Sequence, residues 1–153
     1  MKIYEILSDT TVEANIEVSS KELLLNVMID MLAKTDKLKD KAKAKKEIFE
    51  RERIMSTGVG KGIALPHAKT SVVDESIGAL ITLKSPLDFD SLDGNPVNIV
   101  FMLLGTEDDV GKHLKLLSKI SRLMNNDSFR NKLIDSHSGS EILGTIIHFE
   151  DME

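Results

Sequence analysis

Ile77-Gly78-Ala79-Leu80-Ile81-Thr82-Leu83 and Val97-Asn98-Ile99-Val100-Phe101-Met102-Leu103-Leu104 are two short apolar runs. The turn signal Asp93-Gly94-Asn95-Pro96 lies between them. Both runs are short, rich in residues that favour strands and bounded by turn signals. That pattern predicts two buried strands. Working outward on the N-terminal side, Ile63-Ala64-Leu65 predicts a further short strand stopped at Pro66, and the alternation over residues 12–18 predicts an edge strand. The period then changes to helical. Ser19 and Glu22 have capping-box spacing, and Leu24, Val27, Met28, Met31 and Leu32 recur on one helical face. A second helix is predicted over residues 37–54, with Leu38, Ala42, Lys45 and Phe49 on one stripe. On the C-terminal side, Leu116, Leu117, Ile120, Leu123 and Met124 share a helical face, and residues 129–134 and 141–149 predict two shorter helices. Helices on either side of a block of strands predict an α/β fold, a mixed β-sheet with helices packed on both faces. Residues 1–153 are expected to form a single domain, with no repeat or linker to divide them.

Composition removes several function classes. The chain carries 20 Lys and Arg against 25 Asp and Glu, a net charge of −5, which argues against a dedicated nucleic-acid binder. The lysines at 34, 37, 39, 41, 43, 45 and 46 therefore read as a solvated face. There is no cysteine, which excludes disulfides, thiolate nucleophiles and thiolate metal sites. No apolar run approaches the ~18–20 residues that cross a bilayer. The first residues, Met1-Lys2-Ile3-Tyr4-Glu5, lack the apolar core of a signal peptide. A cytoplasmic protein with no direct membrane insertion is the expectation.

The chemistry-bearing stretch is Ser56-Thr57-Gly58-Val59-Gly60-Lys61-Gly62-Ile63-Ala64-Leu65-Pro66-His67-Ala68-Lys69, which places three of the nine glycines within five positions. Glycine-rich backbone can present N–H groups to an anion. Two nucleotide motifs fail here. A Walker A loop would need glycine where Met55 stands and Ser or Thr where Gly62 follows Lys61, and Ile63 breaks the GxGxxG spacing. Pro66 stiffens the chain entering His67. A neutral imidazole has a lone pair and an ordinary pKa of ~6.5, so His67 is a candidate nucleophile near neutral pH. Attack on phosphorus would call for cations and N–H donors, which Arg51, Lys61, Lys69 and the glycine amides could supply. A structural histidine on a turn fits the same residues. His113 is the second candidate. It opens the helix carrying Leu116, Leu117 and Ile120 and shares their face, where free helix N–H groups favour an anion. A satisfied half-buried histidine fits it equally. His137 and His148 receive no role. No HxxxH, HExxH or GxSxG spacing is present, so neither a metal centre nor a serine hydrolase site is expected.

Glu52 through Ala68 resembles the phosphohistidine signature of enzyme IIA domains of the bacterial phosphoenolpyruvate:sugar phosphotransferase system, fructose/mannitol class. That signature runs from an acidic or amide residue across six arbitrary positions to an aliphatic, a Gly or Ala, two arbitrary residues, and aliphatic-Ala-aliphatic-Pro-His-small. Here it reads Glu52, Arg53 to Gly58, Val59, Gly60, Lys61-Gly62 and Ile63-Ala64-Leu65-Pro66-His67-Ala68. The family also places an arginine sixteen residues before the histidine, Arg51 here, and a second histidine at the start of a later helix, His113 here. Ala68 stands where many members carry Gly.

The resemblance implies a mechanism. His67 would accept a phosphoryl group on Nε2 from the phosphohistidine of the carrier HPr and pass it to a IIB protein or domain. His113 would contact and orient the phosphoryl group, and Arg51 would neutralise charge. Neither cofactor nor metal is implied, because the donor is already a phosphohistidine. Apolar residues near Leu83, Leu104 and the His113 helix would rim a shallow docking depression. Two roles are implied: a sugar-transport phosphocarrier, or a member of the nitrogen-regulatory IIA branch whose phosphohistidine switches binding to regulatory proteins.

Overall fold

The computed structural model describes residues 1–152. After a short 3-10 turn at Ile3–Ile6, the elements run β1 (Val12–Ile16), α1 (Lys21–Ala33), α2 (Lys41–Ile54), β2 (Gly58–Gly60), β3 (Ile63–Ala64) and β4 (His67–Thr70). They continue with β5 (Ile77–Leu87), β6 (Val97–Thr106), α3 (Val110–Met124), α4 (Asp127–Ile134) and α5 (Gly139–Asp151). The predicted α/β class, with its mixed sheet, is the observed one.

β5 and β6 are the antiparallel centre of a six-stranded sheet ordered β1-β5-β6-β3-β2. β1 adds to β5 in parallel at one edge. On the other side, β3 and then β4 pair in parallel with successive stretches of β6: Ile63 lies opposite Ile99, and His67 opposite Leu103. Pro66 separates those two strands. It has no N–H for a ladder, but its carbonyl accepts from Leu103 N at 3.0 Å, so pairing with β6 resumes at once.

The centre is apolar on both faces because both faces are covered. Val97, Val100, Met102 and Leu104 of β6 meet the α1–α2 side, which contributes Leu24, Met28, Ile29, Leu32 and Ile48. Ile99, Phe101 and Leu103 meet the α3–α5 side, which contributes Leu116, Ile120, Leu123, Phe129, Leu133, Ile142 and Ile146.

Several sequence expectations shift. The side chain that caps α1 is Ser20, accepting from Leu23 N at 3.1 Å, and Ser19 does not cap. α2 begins at Lys41, with Asp40 as its cap, and not at residue 37. Its buried stripe is Ala44, Ile48 and Glu52, while Ala42 and Lys45 are exposed. A charged residue in that stripe disguised the helix's true inner face. β5 runs past Leu83 to Leu87 through a register shift between Thr82 and Leu87. β2 and β4 have no apolar period of their own and exist through pairing with β3 and β6.

Phe101 is only 2% exposed at the centre of the α3-side core. Phe101→Ala is expected to lower unfolding free energy by about 3–5 kcal/mol, because it removes buried area and leaves a cavity. Chemical denaturation with an unchanged m-value measures it, and a loss below about 1 kcal/mol would contradict this core assignment.

Candidate functional site

His67 opens β4, and the register of β4 on β6 fixes its backbone. Its ring is fixed by one local hydrogen bond, with Nδ1 lying 2.7 Å from the carbonyl oxygen of Leu65. A carbonyl can only accept, so Nδ1 carries the proton and Nε2 keeps the lone pair. The stiffness expected from Pro66 is therefore joined by a tautomer lock.

His113 comes from the first turn of α3, and its ring centroid lies 5.8 Å from that of His67, with the planes tilted by 46°. The shared helical face with Leu116 and Ile120 is the buried one, as the spacing indicated. His113 is 4% exposed, and its Nδ1 has no hydrogen-bond partner. That nitrogen packs against Gly105, where a Cβ would sit 2.2 Å from it. Gly105 thus makes the room for the second histidine. Sequence reasoning missed it, because a glycine ending an apolar run reads as a strand terminus.

The electrostatics keep both rings neutral near pH 7. Burial, reinforced by the nearby His67 and Lys69, pushes His113 down to about 4. Burial also lowers His67; the Leu65 carbonyl opposes this, Arg51 adds to it and Glu52 opposes it. Arg51, in the last turn of α2, donates from a guanidinium nitrogen to the Met55 carbonyl at 3.0 Å, and its charge is felt at His67. The structure therefore brings His67 and His113 side by side, with Arg51 tied to the Met55 carbonyl at the end of α2. Lys69 is exposed, on the same strand face as His67 two residues on.

Lys61 and the glycines belong elsewhere. Gly60, Lys61 and Gly62 have φ of 105°, 58° and 78°. Positive φ at Lys61 and Gly62 is what a two-residue hairpin between β2 and β3 requires. The Lys61 ammonium reaches Asn125 Oδ1 at 3.2 Å, beyond the far end of α3 from His113, ~18 Å along the helix axis. This stretch is a hairpin and does not cradle an anion at His67. Leu83 and Leu104 are also buried and cannot form a rim. The exposed apolar side chains on the site's own elements are Val110 and Leu114 of α3, and Ile54 and Met55 after Arg51. His137 and His148 are exposed.

A histidine whose folded pKa is depressed makes folding less favourable in acid, because the unfolded chain binds the proton more tightly. His113 should therefore titrate near pH 4 by imidazole NMR, and its contribution should erode stability as pH falls from 6.5 toward 4. His113→Phe should flatten that part of the stability profile. Titration of His113 near 6.5 would contradict the burial described.

Comparison with known proteins gives the family. Residues 5–148 match the family described as "Phosphoenolpyruvate-dependent sugar phosphotransferase system, EIIA 2". A "PTS system fructose-specific EIIABC component" of Bacillus subtilis is 40% identical over 95% of this chain, which spans 23% of that longer relative. A "Nitrogen regulatory protein" of Bradyrhizobium diazoefficiens is 30% identical over 95% of each chain. Among solved structures, the nitrogen regulatory protein IIA-Ntr of Neisseria meningitidis superimposes with a TM-score of 0.87 at 33% identity, covering 94% of this chain and 98% of its own. The fold, the phosphohistidine-type signature and these relatives agree: this chain belongs to the EIIA type 2 family of the phosphoenolpyruvate-dependent sugar phosphotransferase system, a phosphotransfer component.

Proposed function

We propose that the protein is a phosphocarrier that accepts a phosphoryl group on Nε2 of His67 from phospho-HPr and passes it to a IIB component in sugar uptake. The observation that carries this reading is the His67 ring itself. Its Nδ1 is tied to the Leu65 carbonyl, its Nε2 lone pair is free, and His113 lies beside it.

In the transfer, the Nε2 lone pair attacks phosphorus and forms a new N–P bond. The donor's N–P bond breaks, and its electron pair returns to the donor imidazole. Nδ1 of His67 keeps its proton throughout, and its bond to Leu65 stabilises the positive character that develops on the ring. His113 presents Nε2 to the phosphoryl oxygens, since its Nδ1 is turned inward against Gly105. Arg51 supplies fixed positive charge. Phosphoryl transfer depends mainly on such positioning and charge stabilisation. Val110, Leu114, Ile54 and Met55 give the partner proteins apolar contacts around the site.

A second reading draws on the nitrogen regulatory relatives, which match this chain end to end. In it, the same phosphohistidine adds about two negative charges to a docking face and changes which regulatory proteins bind there. A sugar-transport role predicts onward transfer to a IIB cysteine. A regulatory role predicts a target bound differently by the phosphorylated and unphosphorylated forms.

Incubation with phosphoenolpyruvate, enzyme I and HPr should add one acid-labile phosphate by intact mass. His67→Ala should abolish it, and His137→Ala should leave it intact. His113→Ala should slow the transfer by about 10² or more through loss of a stabilising donor. Absence of label with a well-matched HPr, or label retained in His67→Ala, would refute the carrier reading.

A further inference from the structure

Glu52 is out of place on its helix. It completes the inward stripe Ala44, Ile48, Glu52, and is 8% exposed. It also sits in the last turn of α2, where the negative end of the helix dipole opposes an anion. Dedicated partners compensate. Thr57 donates its N–H to Oε1 at 2.8 Å and its hydroxyl at 2.6 Å. The Lys21 ammonium lies 3.6 Å from the same oxygen. Lys21 is itself held 4.4 Å above the Phe89 ring. A well-packed apolar residue would need none of this, and buried ion pairs give little net stability over such a residue. The arrangement therefore points to a gain in position.

The contacts continue to the reactive histidine. Thr57, whose N–H is held by Glu52, accepts through its own carbonyl from Leu65 N at 3.0 Å. Leu65 then accepts through its carbonyl from His67 Nδ1 at 2.7 Å. An unbroken series, Lys21 to Glu52 to Thr57 to Leu65 to His67, runs from the start of α1 to the imidazole. The groups that bear on that imidazole are Arg51 and Glu52 from α2 and His113 from α3, with Lys69 beside it on β4.

We propose that Glu52 is a positioning residue for His67: anchored by Lys21, it fixes Thr57, and through Thr57 and Leu65 it holds the imidazole with Nδ1 protonated and Nε2 free. This rests on reading His67 as the nucleophile. Glu52 also sustains the basicity of His67 against Arg51.

The test follows the His67 ring nitrogens of the full chain by 15N NMR against pH, with phosphoryl uptake from phospho-HPr measured in parallel. Glu52→Ala should replace the single tautomer by a mixture and slow uptake about tenfold through misplacement of the ring. Glu52→Gln keeps an oxygen that can accept from Thr57. It should restore the single tautomer and most of the rate, while the imidazole titrates at lower pH than in the wild type. A folded Glu52→Ala protein with the wild-type tautomer overturns the proposal, whatever its rate. If that variant does not fold, Lys21→Met decides, because it frees the anchored carboxylate: a mixed tautomer at His67 supports the proposal, and the wild-type single tautomer overturns it. Tautomer and titration need no donor. A wild type that takes up no phosphate would therefore refute the carrier reading alone.

Discussion

The hydrogen bond between Nδ1 of His67 and the carbonyl of Leu65 is the constraint on which the site depends. An imidazole in water divides its proton between two nitrogens and rotates freely. Here a carbonyl two residues upstream removes both freedoms, because it can only accept. Pro66, between the two residues, fixes its own φ and restricts Leu65, so the carbonyl is aimed before the ring meets it. Pairing of β3 and β4 with β6 on either side of Pro66 makes that short turn rigid. The six-stranded sheet is, in this sense, the mount for one lone pair.

Charge and burial then set the chemistry. A buried ring prefers to be neutral, and both histidines are pushed that way. Neutrality costs His67 some basicity, and the Leu65 carbonyl and Glu52 return part of it. His113 goes further, to about 4, through its burial first, with His67 and Lys69 adding to it. In the proposed transfer, two adjacent neutral rings would receive a doubly charged phosphoryl group without first expelling a positive charge from the nucleophile.

Much of this was legible in the residues. The apolar runs of β5 and β6 announced a buried sheet centre, since strands covered on both faces have no polar side to show. Helices α1, α3, α4 and α5 were announced by their spacing. The run ending in Pro66-His67-Ala68 pointed to His67 as the candidate, and the structure sets the ring of His113, the second candidate, beside it. Other features depended on contacts distant in sequence. β4 reads His-Ala-Lys-Thr, which has no apolar period, and only β6 makes it a strand. The α2 stripe was misread because its third buried member is Glu52, which pattern reading assigns to the surface. The glycine cluster suggested an anion cradle, yet it serves hairpin geometry with Lys61 directed away from His67. Gly105 gave no sign of its part, because the need for it comes from a ring on α3.

The most direct measurement of the central claim is the attachment point of the phosphoryl group. Two-dimensional 1H–15N spectra of the imidazoles, recorded on phosphorylated protein, distinguish phosphorus on Nε2 from phosphorus on Nδ1. The account predicts a single phosphohistidine at His67, substituted on Nε2 and still protonated on Nδ1. Phosphorus on Nδ1 of His67, or on any other residue, would contradict it.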